Sequence, residues 1–305
     1  MDIPIISGKE LDPNIKDLKS LEEAVINCGN GKLFDVYSSK EMVALLYNSC
    51  EKSWIKDGNS INEDKLKEFL ESVKKIYDVV SKGISDEDRS AHDVEINSYN
   101  KIFDKEGYIK DFYLTSEDSY YSNFIGNPSK FAIGTIDSYR SKIVLEGIKN
   151  RYNVQHSFWK GQNGAFFLPK FEVGICSNSK KKKEAQELIE YVLFNEDSQY
   201  ELSGISTNKK VCINSFKYYT DETLGTMSVK DNNNVEYVLD LAAIDENKIN
   251  EFISLVDELE VSSKVSYSMY DKIIDYMSDY IDNRSTIDKT IKSIKDKLEL
   301  YLREK

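Results

Sequence analysis

Two histidines, His92 and His156, are the first side chains to consider as acid–base groups, because histidine is the residue that titrates near neutral pH. His92 lies in a charged, helix-like stretch, and His156 lies in a strand-like stretch that alternates polar and apolar residues. We expect His92 at the surface and His156 packed within the fold. The sequence contains no GxSxG, P-loop, GxGxxG, HExxH or EF-hand motif. These observations argue against an enzyme.

Other reactive side chains give little support for catalysis or metal binding. With 53 acidic residues in the chain, pairs of carboxylates carry no information about a glycosidase site. The cysteines, Cys28, Cys50, Cys176 and Cys212, lie far apart, without a CxxC motif or a Cys/His cluster. We therefore expect free thiols, with Cys176 buried as a small hydrophobe in an apolar strand, and neither a metal nor a cofactor.

A binding site for a sugar-like molecule needs aromatic faces for the ring and polar side chains for the hydroxyl groups. The stretch Phe131 to Ile136 predicts a strand that delivers Asp137, Ser138 and Tyr139 at its exposed end, just before a helix. These three are candidate ligand-binding residues. The alternative is that Tyr139 is an ordinary tyrosine at the start of a helix.

Trp159 is a further candidate, because it precedes a loop from Gly161 to Gly164 and would lie at the mouth of a cleft. The alternative is a partly buried structural tryptophan.

Length, composition and charge limit the classes of protein to which this chain can belong. A chain of 305 residues with 40% hydrophobic residues can bury a sizeable core and form two domains. A formal net charge of −12 opposes nonspecific binding to nucleic acid, so no nucleic-acid partner is expected. No run of 18 apolar residues predicts a transmembrane helix. The first residues, MDIPIISGKELDPN, lack the charged and apolar regions of a signal peptide.

Hydrophobic periodicity predicts several elements. The clearest helix carries an apolar stripe from Leu66 to Val80, and Leu33 to Val36 is a short candidate strand. Between residues 172 and 210, an apolar strand at Val173 to Cys176 precedes a helix that Ser179 can cap, and a second helix ends at Gly204. The apolar stripe of the first of these helices comprises Ala185, Leu188, Ile189, Val192 and Leu193.

The residues of this stretch resemble the crossing segment of the extracellular solute-binding proteins (carbohydrate-type, family 1) of ABC importers. The matching residues, in order, are Gly174-Ile175, Ser179-Lys180-Lys181, Glu184-Ala185, Gln199, Gly204 and Thr207-Asn208-Lys209. The proline of the family pattern is replaced by Ser206.

The C-terminal stretch from Lys272 to Glu304 is also similar to the ending of many members of this family. Its matching residues are Tyr280, Ser285, Asp288, Tyr301, Leu302 and Glu304. The turn glycine of the family is replaced by Asp282-Asn283, and asparagine tolerates a positive φ angle.

The resemblance implies a helix-rich α/β fold like that of type II periplasmic binding proteins, mostly the second lobe plus the crossing part of the first. Residues 1–170 and 265–305 would form the second lobe, and residues 171–264 the remaining part of the first. The family normally begins with a signal peptide, a lipid-bearing cysteine and most of the first lobe. Their absence here implies a fragment, in which the apolar stripe from Ala185 to Leu193 lacks its usual cover.

The function implied is a non-catalytic receptor that binds a small solute, a carbohydrate, and delivers it to an ABC permease. Its location would be extracellular, as a cell-surface lipoprotein if the native N-terminus carries the signal peptide that is absent from this chain. Tyr139 takes the place of an aromatic residue that packs on ligand in the family. Tyr267 and Tyr270 lie where the family often places another cleft aromatic, and core packing is the alternative for both. The competing functions are a helical interaction or scaffold domain and, third, a hydrolase acting on a polysaccharide.

Overall fold

A computed structural model of the chain describes most of its length. The described residues are 3–9, 11–12, 14–29, 31–50, 54–56, 60–92, 130–162, 164–169, 173–202, 204–218, 224–230, 235–261 and 267–303. The sequence-predicted loop at residues 117–128 lies outside them.

Helices dominate the described chain, and the predicted helix-rich α/β class is confirmed. The helices are α1 (Leu18–Asn27), α2 (Ser39–Cys50), α3 (Glu63–Val80), α4 (Tyr139–Tyr152), α5 (Lys182–Phe194), α6 (Glu196–Glu201), α7 (Lys209–Tyr218), α8 (Glu246–Glu258), α9 (Tyr267–Ile281) and α10 (Ile287–Arg303). The strands are β1 (Ile3–Lys9), β2 (Ile55–Lys56), β3 (Ser60–Ile61), β4 (Phe131–Ile136), β5 (Val154–Phe158), β6 (Phe166–Phe167), β7 (Thr226–Lys230), β8 (Glu236–Asp240) and β9 (Glu260–Val261).

The central element is a three-stranded antiparallel sheet in the order β4-β1-β5. In its register, Ile5 pairs with Gly134 and Phe158, whereas its neighbour Ile6 pairs with Ile133 and Ser157. Since successive side chains of a strand point to opposite faces, the sheet presents an apolar surface on both sides. Two hydrophobic cores form, one on each side.

The first core joins Ile6 and Ile133 to helices α1, α2, α3, α9 and α10. Helix α3 shows why the sequence folds this way, because its apolar residues recur at the helical period and face inward. The buried residues of α3 all belong to the predicted stripe, whose Tyr77 is partly buried: Leu66, Phe69, Leu70, Val73, Ile76 and Val80. The turn between α9 and α10 is also as predicted, with Asn283 at a φ of 61°.

The second core joins Ile3 and Ile5 to α4, α7 and α8. Gly147 on α4 allows β8 to approach closely, because a Cβ atom there would lie 2.6 Å from the carbonyl oxygen of Asp240. Buried residues from the later segment, such as Cys212 and Phe252, complete this core. Part of the 171–264 segment is therefore firmly packed on the sheet that begins the chain.

Other parts of this segment differ from the prediction. Residues 173–176 form no strand and are exposed, so Cys176 is not buried. Helix α5 begins at Lys182, and the side chain of the preceding Lys181 makes no capping hydrogen bond. Ser179 instead accepts a hydrogen bond from the Lys181 amide.

The predicted strand at Leu33 to Val36 is likewise not formed. The Leu33 carbonyl accepts a hydrogen bond from the Phe131 amide at 2.8 Å, but a strand needs a continuous ladder of such bonds, which the local sequence does not reveal.

Candidate functional site

The residues predicted to bind ligand at the end of β4 form the beginning of helix α4. β4 ends at Ile136, and Ser138 caps α4 by accepting a hydrogen bond from the Ser141 amide at 3.2 Å. The Asp137 carboxylate accepts a hydrogen bond from the Ser141 hydroxyl at 2.6 Å. The Asp137 carbonyl accepts another from the Ile205 amide at 3.1 Å. These polar groups thus secure the start of α4 and hold the 204–218 segment against it.

Tyr139, the first residue of α4, is partly buried and packs against the second core. Its hydroxyl lies beside Cys212 and Ser215 of α7, and burial, together with the neighbouring Cys212, raises the pKa of the phenol above its ordinary value. Burial also raises the pKa of the Cys212 thiol to about 12. Both groups are therefore neutral at physiological pH, and Cys212 is not a reactive thiolate.

Two of the other predicted aromatic residues, Trp159 and Tyr270, lie on the opposite side of the sheet. Trp159 is almost fully buried in the first core, and its amide donates to the Pro4 carbonyl at 3.0 Å. Tyr270 also packs against that core, edge-on to Tyr47, with ring centroids 5.2 Å apart. The side chain of Tyr267 lies outside the described residues. The structure brings Trp159 and Tyr270 to one core and Tyr139 to the other.

A groove of about 330 Å³ opens between the end of β5 and one face of α8. We refer to it as the β5–α8 groove. Its described lining residues are Lys16, Phe158, Lys160, Glu251, Ser254, Leu255 and Glu258. None of these is among the six predicted ligand residues. The groove combines one aromatic ring and one leucine with two carboxylates, a hydroxyl and two ammonium groups, so groups that can hydrogen-bond a polar molecule predominate.

Segments that are distant in sequence hold the groove in shape. The Lys160 amide donates to the carbonyl of Lys16 at 2.6 Å, which ties the end of β5 to the approach to α1. The Phe158 ring packs on Phe252 of α8, with centroids 5.9 Å apart. Lys160 and Glu258 form an ion pair of 3.0 Å across the groove. The sequence does not reveal this groove, because its two walls are almost 100 residues apart in the chain.

One local signal did point toward the α8 wall. Glu251, Ser254, Leu255 and Glu258 recur at the i, i+3, i+4, i+7 spacing of a single helix face. A face that mixes two carboxylates, a hydroxyl and a leucine is neither a plain core stripe nor a uniformly charged solvent face.

A buried polar cluster lies behind the groove. Glu146 Oε1 is 3.2 Å from both Lys142 Nζ and His156 Nε2, and Lys142 also contacts His156 directly. All three side chains are buried. The Lys142 ammonium lies 5.9 Å from the centroid of the Phe158 ring, which connects the cluster to the groove. His156 is packed within the fold, as predicted.

Burial and mutual contact set the charges of this cluster. Burial lowers the pKa of Lys142 to about 8 and the pKa of His156 to about 4. Burial by itself would raise the pKa of Glu146, but the contact with His156 and the charge of Lys142 hold it well below its usual range. At neutral pH the cluster therefore holds a lysine cation, a glutamate anion and a neutral histidine.

The expected surface position of His92 is wrong. Its side chain is 12% exposed, and its Nε2 lies 2.5 Å from Glu41 Oε1. The ring also stacks on Tyr37 at a centroid distance of 4.3 Å. A charged stretch of sequence did not reveal that this histidine has an acidic partner 51 residues earlier.

Neither a metal site nor a membrane span emerges from the part of the chain that the structure describes. No group of three or more histidine, cysteine or acidic side chains there is arranged to hold a metal ion. Among the same residues, no helix has the length and apolar character to cross a bilayer.

Comparison with known proteins gives similarity at the level of structure. No protein-family model and no curated protein matches the chain. A de novo designed cysteine esterase, ECH19, matches with a TM-score of 0.51 and 13% identity, over 99% of this chain and 70% of that chain. At such low identity this likeness shows a shared fold alone.

Several other solved structures similar to this chain are named as extracellular, periplasmic or ABC-transporter solute-binding proteins. A family 1 extracellular solute-binding protein from Alicyclobacillus acidocaldarius has a TM-score of 0.49 and 7% identity, over 99% of this chain and 70% of that chain. An ABC substrate-binding protein from Listeria monocytogenes, in complex with cycloalternan, has a TM-score of 0.47 and 11% identity with the same coverage. Likenesses at these TM-scores carry no argument about the function of this chain.

Proposed function

We propose that this chain is a non-catalytic receptor that binds a small solute, a carbohydrate, in the β5–α8 groove. The observation that carries the proposal is the groove itself, in which an aromatic ring and a leucine lie among carboxylates, a hydroxyl and lysines. The resemblance of residues 172–210 and 272–304 to the carbohydrate-type solute-binding proteins agrees with it.

The lining suits a sugar for physical reasons. The C–H face of a pyranose packs on an aromatic ring such as Phe158, which contributes apolar contact at a modest cost in ordering. Glu251 and Glu258 accept hydrogen bonds from sugar hydroxyl groups, and the Ser254 hydroxyl both donates and accepts. Lys160, already paired with Glu258, has further donors for hydroxyl oxygens.

The position of the groove suits a receptor that closes on its ligand. One wall belongs to residues 1–170 and the other to residues 171–264, the two parts that the sequence resemblance assigns to different lobes. A solute that contacts both walls stabilises the arrangement in which they are close, because it binds that arrangement more tightly. Ligand contact by Asp137, Ser138, Tyr139, Trp159, Tyr267 and Tyr270 stays a prediction beside this one.

The proposal extends to the partner and the place of action. A receptor of this kind hands its solute to an ABC permease, outside the membrane, and the resemblance adds attachment to the cell surface through a lipid-bearing cysteine. Measurement of solute import in cells that carry the gene and its permease tests this part.

Thermal unfolding in the presence of a panel of mono- to hexasaccharides tests binding itself. A ligand that binds only the folded chain raises stability by about 2.7 kcal/mol when its concentration is roughly 100 times its Kd. We expect one saccharide class to raise the Tm of the wild type. Glu251→Gln should reduce that rise, whereas Glu187→Gln, an exposed glutamate of α5, should leave it unchanged. A panel without effect would contradict the proposal.

A further inference from the structure

Helix α5 exposes an apolar surface that the rest of the described chain does not cover. None of its residues is buried, and Leu188, Tyr191 and Phe194 are 63%, 56% and 72% exposed. These three recur three residues apart and form one band along the helix. Soluble proteins rarely leave such a band in water, and a contiguous exposed apolar patch usually marks an interaction surface.

The charges at the two ends of α5 are opposite in sign. Lys180 to Lys183 are exposed at its start, where the positive end of the helix dipole makes lysines unfavourable. Lys181 also provides no side-chain cap for that end. After Asn195, the acidic residues Glu196 and Asp197 begin α6, where Glu196 also pairs with Lys210 at 2.5 Å. The helix thus has a basic start and an apolar band that reaches its last residue, with Glu184, Glu187 and Glu190 beside the band and further acidic residues just beyond the end.

The charges along this segment are complementary to those of a second copy of the segment that runs in the opposite direction. We propose that α5 is the interface of a two-fold symmetric dimer, in which α5 of a second copy packs against it in antiparallel orientation. The lysines of each copy then oppose Glu196 and Asp197 of the other, and the two helix dipoles run in opposite directions. Leu188 and Tyr191 lie near the midpoint of this segment, where the two-fold axis would pass. A two-fold interface of this kind is closed, so assembly stops at two copies.

Sedimentation velocity of the full chain over a range of concentrations tests the proposal. We expect a reversible equilibrium between monomer and dimer. Leu188→Lys should reduce dimer formation at least tenfold, because a charge at the axis meets its own copy. Leu300→Lys is the matched control, since Leu300 is 58% exposed on a different helix, α10, and should leave the equilibrium unchanged. Because Leu188 is exposed, its replacement should not disturb folding, which far-UV circular dichroism checks.

Variants with reversed charges test the orientation of the two helices more specifically. The Lys181→Glu/Lys182→Glu protein and the Glu196→Lys/Asp197→Lys protein should each dimerise poorly alone, whereas their mixture should form a heterodimer. Recovery in the mixture requires the basic start of one copy to face the acidic end of the other.

A monomer at every accessible concentration would overturn the proposal. So would a dimer that is indifferent to Leu188→Lys, assembly that continues beyond two copies, or a mixture of charge variants that does not associate.

Discussion

Glu146 and His156 meet inside the second core, where Nε2 of His156 lies 3.2 Å from Oε1 of Glu146. Lys142 lies at the same 3.2 Å from this carboxylate oxygen, and Lys248 and Glu251 of α8 add further charges around the group. Such a cluster links the stability of the fold to pH, because each member must hold one protonation state inside the core.

The first prediction concerns acid. The pKa of His156 is lowered in the folded chain from 6.5 to about 4, so the unfolded chain binds its proton first as the pH falls. The stabilising contribution is therefore complete above pH 6.5 and is lost as the pH falls toward 4. The loss amounts to ~3 kcal/mol, from 1.36 kcal/mol per pKa unit. Glu146, whose pKa is also lowered, extends the loss to lower pH.

Urea unfolding between pH 7.5 and 4 measures this loss. His156→Gln removes the titrating ring, so its unfolding free energy should fall less steeply with acid than that of the wild type. Identical slopes for the two proteins would show that His156 does not titrate as described.

The second prediction concerns the ion pair of Lys142 and Glu146. Glu146→Ala leaves a buried lysine cation without its counter-ion and should destabilise the fold by about 3–5 kcal/mol. The double replacement Lys142→Met/Glu146→Leu removes both charges and should cost less than half as much. Urea unfolding at pH 7 compares the free energies of unfolding of the two variants with that of the wild type. Equal costs for the single and double variants would argue against a buried pair.

The third prediction concerns the residue that departs from the family pattern. The Ser206 hydroxyl donates to Gln199 Oε1 at 2.6 Å and accepts from the Asn208 amide at 2.9 Å. Gln199 is buried and in turn donates to the Val192 carbonyl at 2.5 Å. Ser206→Ala should therefore cost about 1–3 kcal/mol, because it leaves buried groups without a partner.

Thermal denaturation of Ser206→Ala is best compared with Ser228→Ala, a replacement at an exposed position of β7. The control should change stability by less than about 0.5 kcal/mol. A Ser206 variant as stable as this control would mean that the network contributes little.

The fourth prediction concerns the uneven stability of the chain. Helix α3 contributes six buried residues to the first core, whereas α5 contributes none to either core. Amide hydrogens of α5 should therefore exchange much faster than those of α3 at low protein concentration. Protection of α5 should rise with concentration if α5 is a dimer interface. Equal protection of both helices in a dilute, monomeric sample would contradict the exposed position of α5.

The elements that the sequence predicts correctly are those whose apolar residues follow a clear local pattern. The stripe of α3 and the strand β4 were foreseen, because an amphipathic pattern or a short apolar run specifies its own element once a core is available. Position in the sequence did not show which elements pair. The run at 173–176 has strand-like residues but forms no strand, and Cys176 is therefore exposed.

The candidate site was harder to foresee for the same reason. Lys142 and Glu146 are four residues apart on α4, a spacing usually found on solvent-exposed helix faces. Only the packing of β5 and α8 makes them a buried cluster with His156. The β5–α8 groove likewise depends on Lys16, Phe158 and Glu251, whose proximity is a property of the tertiary fold.

The location of solute binding is the central claim, and hydrogen exchange tests it most directly. Exchange is measured with and without the saccharide that raises the Tm most in the thermal screen. We predict slower exchange at residues 154–160 and 246–258, the two walls of the β5–α8 groove, and loss of this protection in Glu251→Gln. Protection confined to residues 137–139 and 267–270 would instead place the ligand at the sequence-predicted residues, and would contradict binding in the groove.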